Sequence, residues 1–217
     1  MQRETAAAKK ERALKIIAAL QRTYPNAHCE LIFSSPLQLL VATILSAQCT
    51  DKRVNLVTAE LFKKYRSAED FAAAPLAAIE ESIKSTGFFR NKAKNVITLC
   101  EQLIRDFGGE VPRTREALET LAGVGRKTAN VVLNMAFGQE TIAVDTHLFR
   151  VANRIPLAIG KTPLAVELGL ERIIPAPFRR HAHHWLILHG RYVCKARKPA
   201  CEGCLIADLC TSPEKTI

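Results

Sequence analysis

Apolar residues recur along this chain at helical spacing, and no segment alternates with the period of two expected of a half-buried strand. Ala13, Ile16, Ile17 and Leu20 fall at i, i+3, i+4 and i+7, one face of a first helix. Ser35 followed by Pro36 reads as an N-cap and a first helical residue. The segment behind them, LQLLVATILSAQ, is apolar all round, the pattern of a helix buried on every side. Asp51 is the expected cap of the next helix. Pro75 opens another, which Gly87 stops, and NKAKNVITLCEQLIRDF runs up to Gly108 and Gly109. Thr114 caps REALETL, and a helix from Lys127 to Phe137 ends at Gly138. Asp145 caps THLFRVANRI, Thr162 and Pro163 open LAVELGLERII, and a last helix carries HHWLILHG. With neither strands nor a solenoid period, the fold class is all-α.

Composition narrows this only a little. The 217 residues, 48% hydrophobic and 24% charged, suffice for one large or two small domains with a real core. Lys and Arg number 31 against 21 Asp and Glu, a net charge of +10 that suits a polyanion, nucleic acid before membrane. An ordinary basic protein without such a partner would show the same excess. No apolar run approaches the roughly 18 residues of a membrane span. The opening MQRETAAAKKERALK lacks a signal peptide's apolar core, and its Glu4 and Glu11 argue against a transit peptide. The expectation is an intracellular protein. Seven cysteines, an odd number in a reducing compartment, favour metal ligation or buried thiols over disulfides.

Four of them, Cys194, Cys201, Cys204 and Cys210, are spaced C-x6-C-x2-C-x5-C. Thiolates this close suit one tetrahedral metal or one iron–sulfur cluster, and spacing alone leaves zinc and iron–sulfur open. Cys29, Cys49 and Cys100 lie scattered in apolar, helical surroundings and read as buried thiols. Between the first two clustered cysteines, KARKPA places Lys195, Arg197 and Lys198 in a loop pinned at both ends. Such a loop presents its cations rigidly, as phosphate contact requires, although by itself it is equally a solvated loop.

The stretch REALETL, AGVG, RKTANVVLNMAF reads as helix, tight turn, helix. Gly123 and Gly125 permit positive φ and close approach of a DNA backbone, and free amides at the second helix's start attract a phosphate. Thr128, Val131, Val132 and Met135 make that helix's expected buried face, with Lys127, Asn130 and Asn134 on a polar one. Lys127 stands where the backbone is already electropositive. A charge there is redundant, whereas an amine needed unprotonated as a nucleophile is not, because the helix end and desolvation disfavour the ammonium. A nearby carboxylate pulls the other way. The second polar site is Asp145 in TIAVDTHLFRVANR, whose plain role is that of a cap.

These segments, LAGVGRKTANVVLNMAFG, TIAVDTH and HHWLILHGRYVCKARKPACEGCLIADLC in this order, resemble the endonuclease III family of DNA glycosylase/AP lyases, within the helix-hairpin-helix superfamily. The resemblance covers nearly the whole chain, least strongly the first twenty or so residues. It implies two helical domains with DNA in the groove between them. One is a six-helix barrel with the hairpin, residues 28–138, and the other a cluster domain from residues 1–27 and 139–217. It implies that Lys127 is the nucleophile, Asp145 the catalytic carboxylate, and the four cysteines the ligands of a [4Fe–4S] cluster. Its substrate would be double-stranded DNA with damaged bases, oxidised pyrimidines above all, or abasic sites, cut 3′ to the site by β-elimination. A monomer is expected, in the cytoplasm at the nucleoid if the source is bacterial. Gln48 in LSAQCTD matches the family's gap-filling glutamine and Phe88 in STGFFRNKA its loop wedge. Without the resemblance these would read as a helix-end polar residue and a core aromatic. His147 would lie near backbone phosphates, where a surface histidine is the plainer reading. His183, His184 and His189 read with Trp185 as packing residues. One departure stands out: the family's hairpin reads Leu-Pro-Gly-Val-Gly, and here Ala122 replaces the proline while both glycines remain. The rivals are related adenine-mismatch or alkylated-base glycosylases without lyase activity, and a non-catalytic iron–sulfur or zinc DNA-binding protein.

Overall fold

The computed structural model describes residues 4–216. Among them it has α-helices and short 3-10 turns and no strand. In chain order these are α1 (Ala6–Thr23), α2 (Pro36–Leu45), α3 (Asp51–Lys64), α4 (Ala68–Ala72), α5 (Leu76–Ile83), α6 (Phe89–Phe107), α7 (Arg115–Glu119), α8 (Arg126–Phe137), α9 (Thr146–Arg154), α10 (Pro163–Ile173) and α11 (Ala176–Tyr192). They group into two compact units, Cys29–Gln139 and Met1–His28 with Glu140–Ile217.

In the unit Cys29–Gln139, α2 is the core helix. Ser35 caps it by accepting from the Gln38 amide, Pro36 opens it, and every residue from Leu39 to Leu45 is buried. Its all-apolar surface has no solvent face because α3, α6 and α8 all pack on it. On α6, Ala93, Val96, Leu99, Cys100 and Leu103 form the buried stripe. Gly108, at φ +62°, ends that helix in the left-handed conformation that glycine adopts without strain. One cap differs from expectation. Thr50, not Asp51, caps α3 through the Arg53 amide; Asp51 is its first residue, where a carboxylate meets the positive helix end.

In the other unit, Ala13, Ile16, Ile17 and Leu20 of α1 are all at most 2% exposed and share a core with α9, α10 and α11, including Trp185. Burying each of the three larger side chains contributes about 2 kcal/mol. His183 and His189 are buried there too, His184 partly, as packing residues. Burial holds His189 down to about 4, so it sits neutral in the core. Arg12 ties α1 to its surroundings through Glu4 and the carbonyls of Ile155 and Pro156. No described helix is long and apolar enough to cross a membrane.

Candidate active site and cluster pocket

The hairpin turn between α7 and α8 is fixed from α6. Gly123 has φ +75°, and a Cβ there would meet the Asn95 side chain at 2.9–3.1 Å, so both conformation and space demand glycine. Gln102 holds the turn on both sides. Its Oε1 accepts from the Ala122 amide at 2.7 Å, and its Nε2 donates to the Thr120 carbonyl at 3.2 Å. The first of these bonds exists because residue 122 is not proline, which has no N–H. The departure in the hairpin is therefore filled by a specific hydrogen bond.

Gly125 is the N-cap of α8 and offers its first amides no side-chain acceptor. Lys127 is exposed in that first turn. A helix start so arranged has donors, a positive dipole end and a cation facing solvent. Cys29, half-buried, lies within electrostatic reach. Burial pushes its thiol up, while the Leu31 backbone and the Lys127 ammonium pull it part of the way back. Behind Lys127 the polar face expected on α8 is absent. Asn130 and Asn134 are buried, and Arg115 of α7 donates to Asn130 Oδ1 at 2.8 Å, joining the two hairpin helices. Val131 and Val132 are buried as expected, Thr128 and Met135 only partly.

Asp145 caps α9, its Oδ1 accepting from the Leu148 amide at 2.7 Å. Ile142, Ala143 and Val144 before it are buried, which anchors the carboxylate on both sides. His147, half-buried, is the second residue of α9, with Nδ1 3.3 Å from an Arg150 Nη2. That partner assigns Nδ1 as acceptor and leaves Nε2–H as the ring's donor.

Gln48 and Phe88 are both exposed and both left-handed, at φ +54° and +49°. With Lys198, at φ +51°, they make three of the four non-glycine residues of positive φ among the described residues, the fourth being Pro156. Such strain gathers at functional loops. Phe88 is 65% exposed while the adjacent Phe89 packs on the core, so the pair splits one ring out and one in. Lys195 and Arg197 are exposed in the same loop as Lys198.

Cys194, Cys201, Cys204 and Cys210 all line one cavity. Four soft thiolates ringing a cavity fit a cluster of several atoms. Arg154 steadies the ring from α9, with its Nη1 3.8 Å from Cys194 Sγ and 2.6 Å from the Lys195 carbonyl. Of the other cysteines, Cys100 is fully buried and its thiol is pushed up to about 12 by burial, while Cys29 and Cys49 are only partly buried.

Comparison with known proteins places this architecture. Residues 41–176 match the HhH-GPD superfamily of base excision DNA repair proteins, and residues 194–210 match the iron–sulfur binding domain of endonuclease III. The second match begins at Cys194 and ends at Cys210. The chain belongs to the endonuclease III family. It is 51% identical to endonuclease III of Haemophilus influenzae over 95% of this chain and 98% of that one, and 50% identical to that of Escherichia coli K12 over the same shares. A solved endonuclease III–DNA complex, trapped as a covalent intermediate, superposes with a TM-score of 0.89 at 47% identity, covering 93% of this chain and 95% of that one. The protein is accordingly a DNA-binding base-excision-repair enzyme, a DNA glycosylase with AP-lyase activity, and its cofactor is a [4Fe–4S] cluster. Sequence reasoning missed Gln102, Arg115 and Asn130 as builders of the hairpin. Their partners lie 15 to 20 residues away, beyond the reach of helical periodicity.

Proposed function

We propose that Lys127 is the nucleophile and Asp145 the carboxylate that assists it, acting on duplex DNA with damaged bases, oxidised pyrimidines in particular, or abasic sites. The observation that carries this is the exposed Lys127 amine in the first turn of an α8 whose cap has no side-chain acceptor. A relative captured covalently on DNA supports amine chemistry of this kind. The unprotonated amine attacks C1′, and the base leaves carrying the electron pair of its glycosidic bond and takes up a proton. The sugar ring then opens at O4′ to give a Schiff base with Lys127. Loss of a C2′ proton expels the 3′ phosphate, and water hydrolyses the imine to free the lysine. Asp145, held by its cap bond, accepts a proton during attack and offsets positive charge developing on the sugar.

Gly123, Gly125, His147, Lys195, Arg197 and Lys198 contact phosphates, while Gln48 and Phe88 fill and wedge the gap left by the flipped base. Cys194, Cys201, Cys204 and Cys210 hold the cluster. When bound, the cluster fixes the loop that carries the three cations and supplies a one-electron redox centre. Domain boundaries at 28–138, and at 1–27 with 139–217, belong to the same reading, supported by compact units that divide within a residue of them. The enzyme acts as a monomer, inside the cell where the DNA is. Borohydride reduces a Schiff base to a stable amine, so the test is trapping on a duplex with one abasic site. Wild type forms a covalent adduct and Lys127→Gln binds the duplex without forming one. An adduct of undiminished yield in Lys127→Gln overturns the assignment.

A further inference from the structure

Lys92, on the first turn and a half of α6, is 4% exposed and the one buried lysine among the described residues. Its Nζ donates to two main-chain carbonyls, Leu45 and Thr86, each at 2.8 Å. Leu45 is the last residue of α2, and Gln48 follows three residues later. Thr86 ends the 3-10 turn Lys84–Thr86, and Phe88 follows two residues later. The backbone amide of Lys92 donates to the Phe88 carbonyl at 3.1 Å. One residue thus holds the roots of both loops, and both loop tips are strained left-handed residues.

Filling the space does not require this. An ammonium brought out of water costs several kcal/mol, and neutral carbonyls repay that less fully than a carboxylate would. An unbranched apolar side chain would fill the same volume without it. Burial lowers the tendency of Lys92 to be charged, and the neighbouring Cys49 opposes that shift. What the ammonium adds is a geometric link: α2 ends on a carbonyl with no partner in the helix, and so does the turn before Gly87. Binding both carbonyls at one nitrogen fixes the spacing of the two tips.

We propose that Lys92 is a positioning residue that locks the Gln48 and Phe88 loops into one rigid two-pronged unit for entering duplex DNA. The proposal rests on the reading of Gln48 and Phe88 as gap filler and wedge. A preorganised pair enters the duplex without an ordering cost at each encounter, and a tip displaced by about an ångström loses much of its fit. The link matters only where a base stack must be opened. It has no bearing on the amine chemistry of an abasic site already in a single strand.

The test compares the holoenzyme and its Lys92→Met variant on an abasic duplex and on an abasic single strand, with thermal melting as the folding control. Lys92→Met weakens duplex binding about tenfold and leaves the single-strand lyase rate within about twofold. In a Gln48→Ala/Phe88→Ala background, adding Lys92→Met lowers duplex affinity by less than about twofold, because the prongs it aligns are gone. Equal losses on duplex and single strand, or a full additional loss in that background, overturn the proposal. Should Lys92→Met not fold, Lys92→Gln, whose donor sits one bond nearer the backbone and cannot hold both carbonyls at their present spacing, carries the same comparison. If Gln48→Ala/Phe88→Ala itself keeps the duplex preference, the reading of the two tips fails and the proposal with it. If that variant loses the preference while Lys92→Met keeps it, the tips stand and the role of Lys92 alone is overturned.

Discussion

Helices α8 and α9 carry Lys127 and Asp145 at their starts, and they satisfy those starts in opposite ways. At α9 the cap is the side chain proposed as the catalytic carboxylate, Asp145 accepting from the Leu148 amide. At α8 the cap is Gly125, which provides no acceptor, and the turn before it is held from outside by Gln102 and by the fit of Gly123 against Asn95. The difference separates two uses of one physical feature. A helix start filled by its own carboxylate holds that carboxylate in one orientation. A helix start left unfilled keeps its amides and dipole for an anion supplied by a ligand. The first favours precision at a reacting atom, and the second favours binding a DNA backbone next to a lysine.

The sharpest way to break this comparison is to separate capping from chemistry at Asp145. Asparagine caps helices about as well as aspartate, so Asp145→Asn should melt within about 2 °C of wild type while base excision slows by about 10²–10⁴-fold. Asp145→Ala should lose the same activity and about 1 kcal/mol of stability besides. Single-turnover excision and thermal melting read the two effects. An active Asp145→Asn would leave the residue as a cap and nothing more.

A smaller effect comes from making α8 resemble α9. Nothing lies within 4 Å of a Cβ at Gly125, and its φ of −98° suits any residue. Gly125→Asp should raise stability by a few tenths of a kcal/mol, since a cap is gained. Duplex binding should weaken by about tenfold, with the salt slope reduced by about one, because a carboxylate then occupies the phosphate position. Unchanged DNA affinity would refute the unfilled start as a phosphate site.

The mildest test concerns the turn. Gln102→Leu should cost about 1–2 kcal/mol by orphaning the Ala122 amide and the Thr120 carbonyl, and weaken duplex binding about threefold. In an Ala122→Pro background, where that amide no longer exists, the stability cost should shrink. A full, additive cost would mean that Gln102 acts elsewhere.

Helix starts were the most legible part of the chain. Ser35 with Pro36, Thr114, Asp145, and Thr162 with Pro163 all cap or open the helices assigned to them, because capping is settled within three residues. The stripe on α1 was equally plain. The same local logic erred by one residue at Thr50 and Asp51, where two good capping types stand side by side. It erred more at Asn130 and Asn134, where residue type suggested a solvent face. Arg115 satisfies Asn130 inside the protein, and no local pattern announces a partner fifteen residues away. Lys92 was hidden for the same reason, its partners being main-chain carbonyls that carry no sequence signal. The cysteine spacing pointed to four candidate ligands and left the metal open. The cavity ringed by four thiols and the family match together select the cluster.

The central claim is that one amine, on Lys127, carries the chemistry. Its most direct test is to trap the wild-type enzyme on an abasic duplex with borohydride, digest the adduct with nuclease and protease, and locate the sugar remnant by mass spectrometry. The account predicts the remnant on Lys127, in the peptide that spans the start of α8. A remnant on another lysine, or on the N-terminal amine, would contradict it.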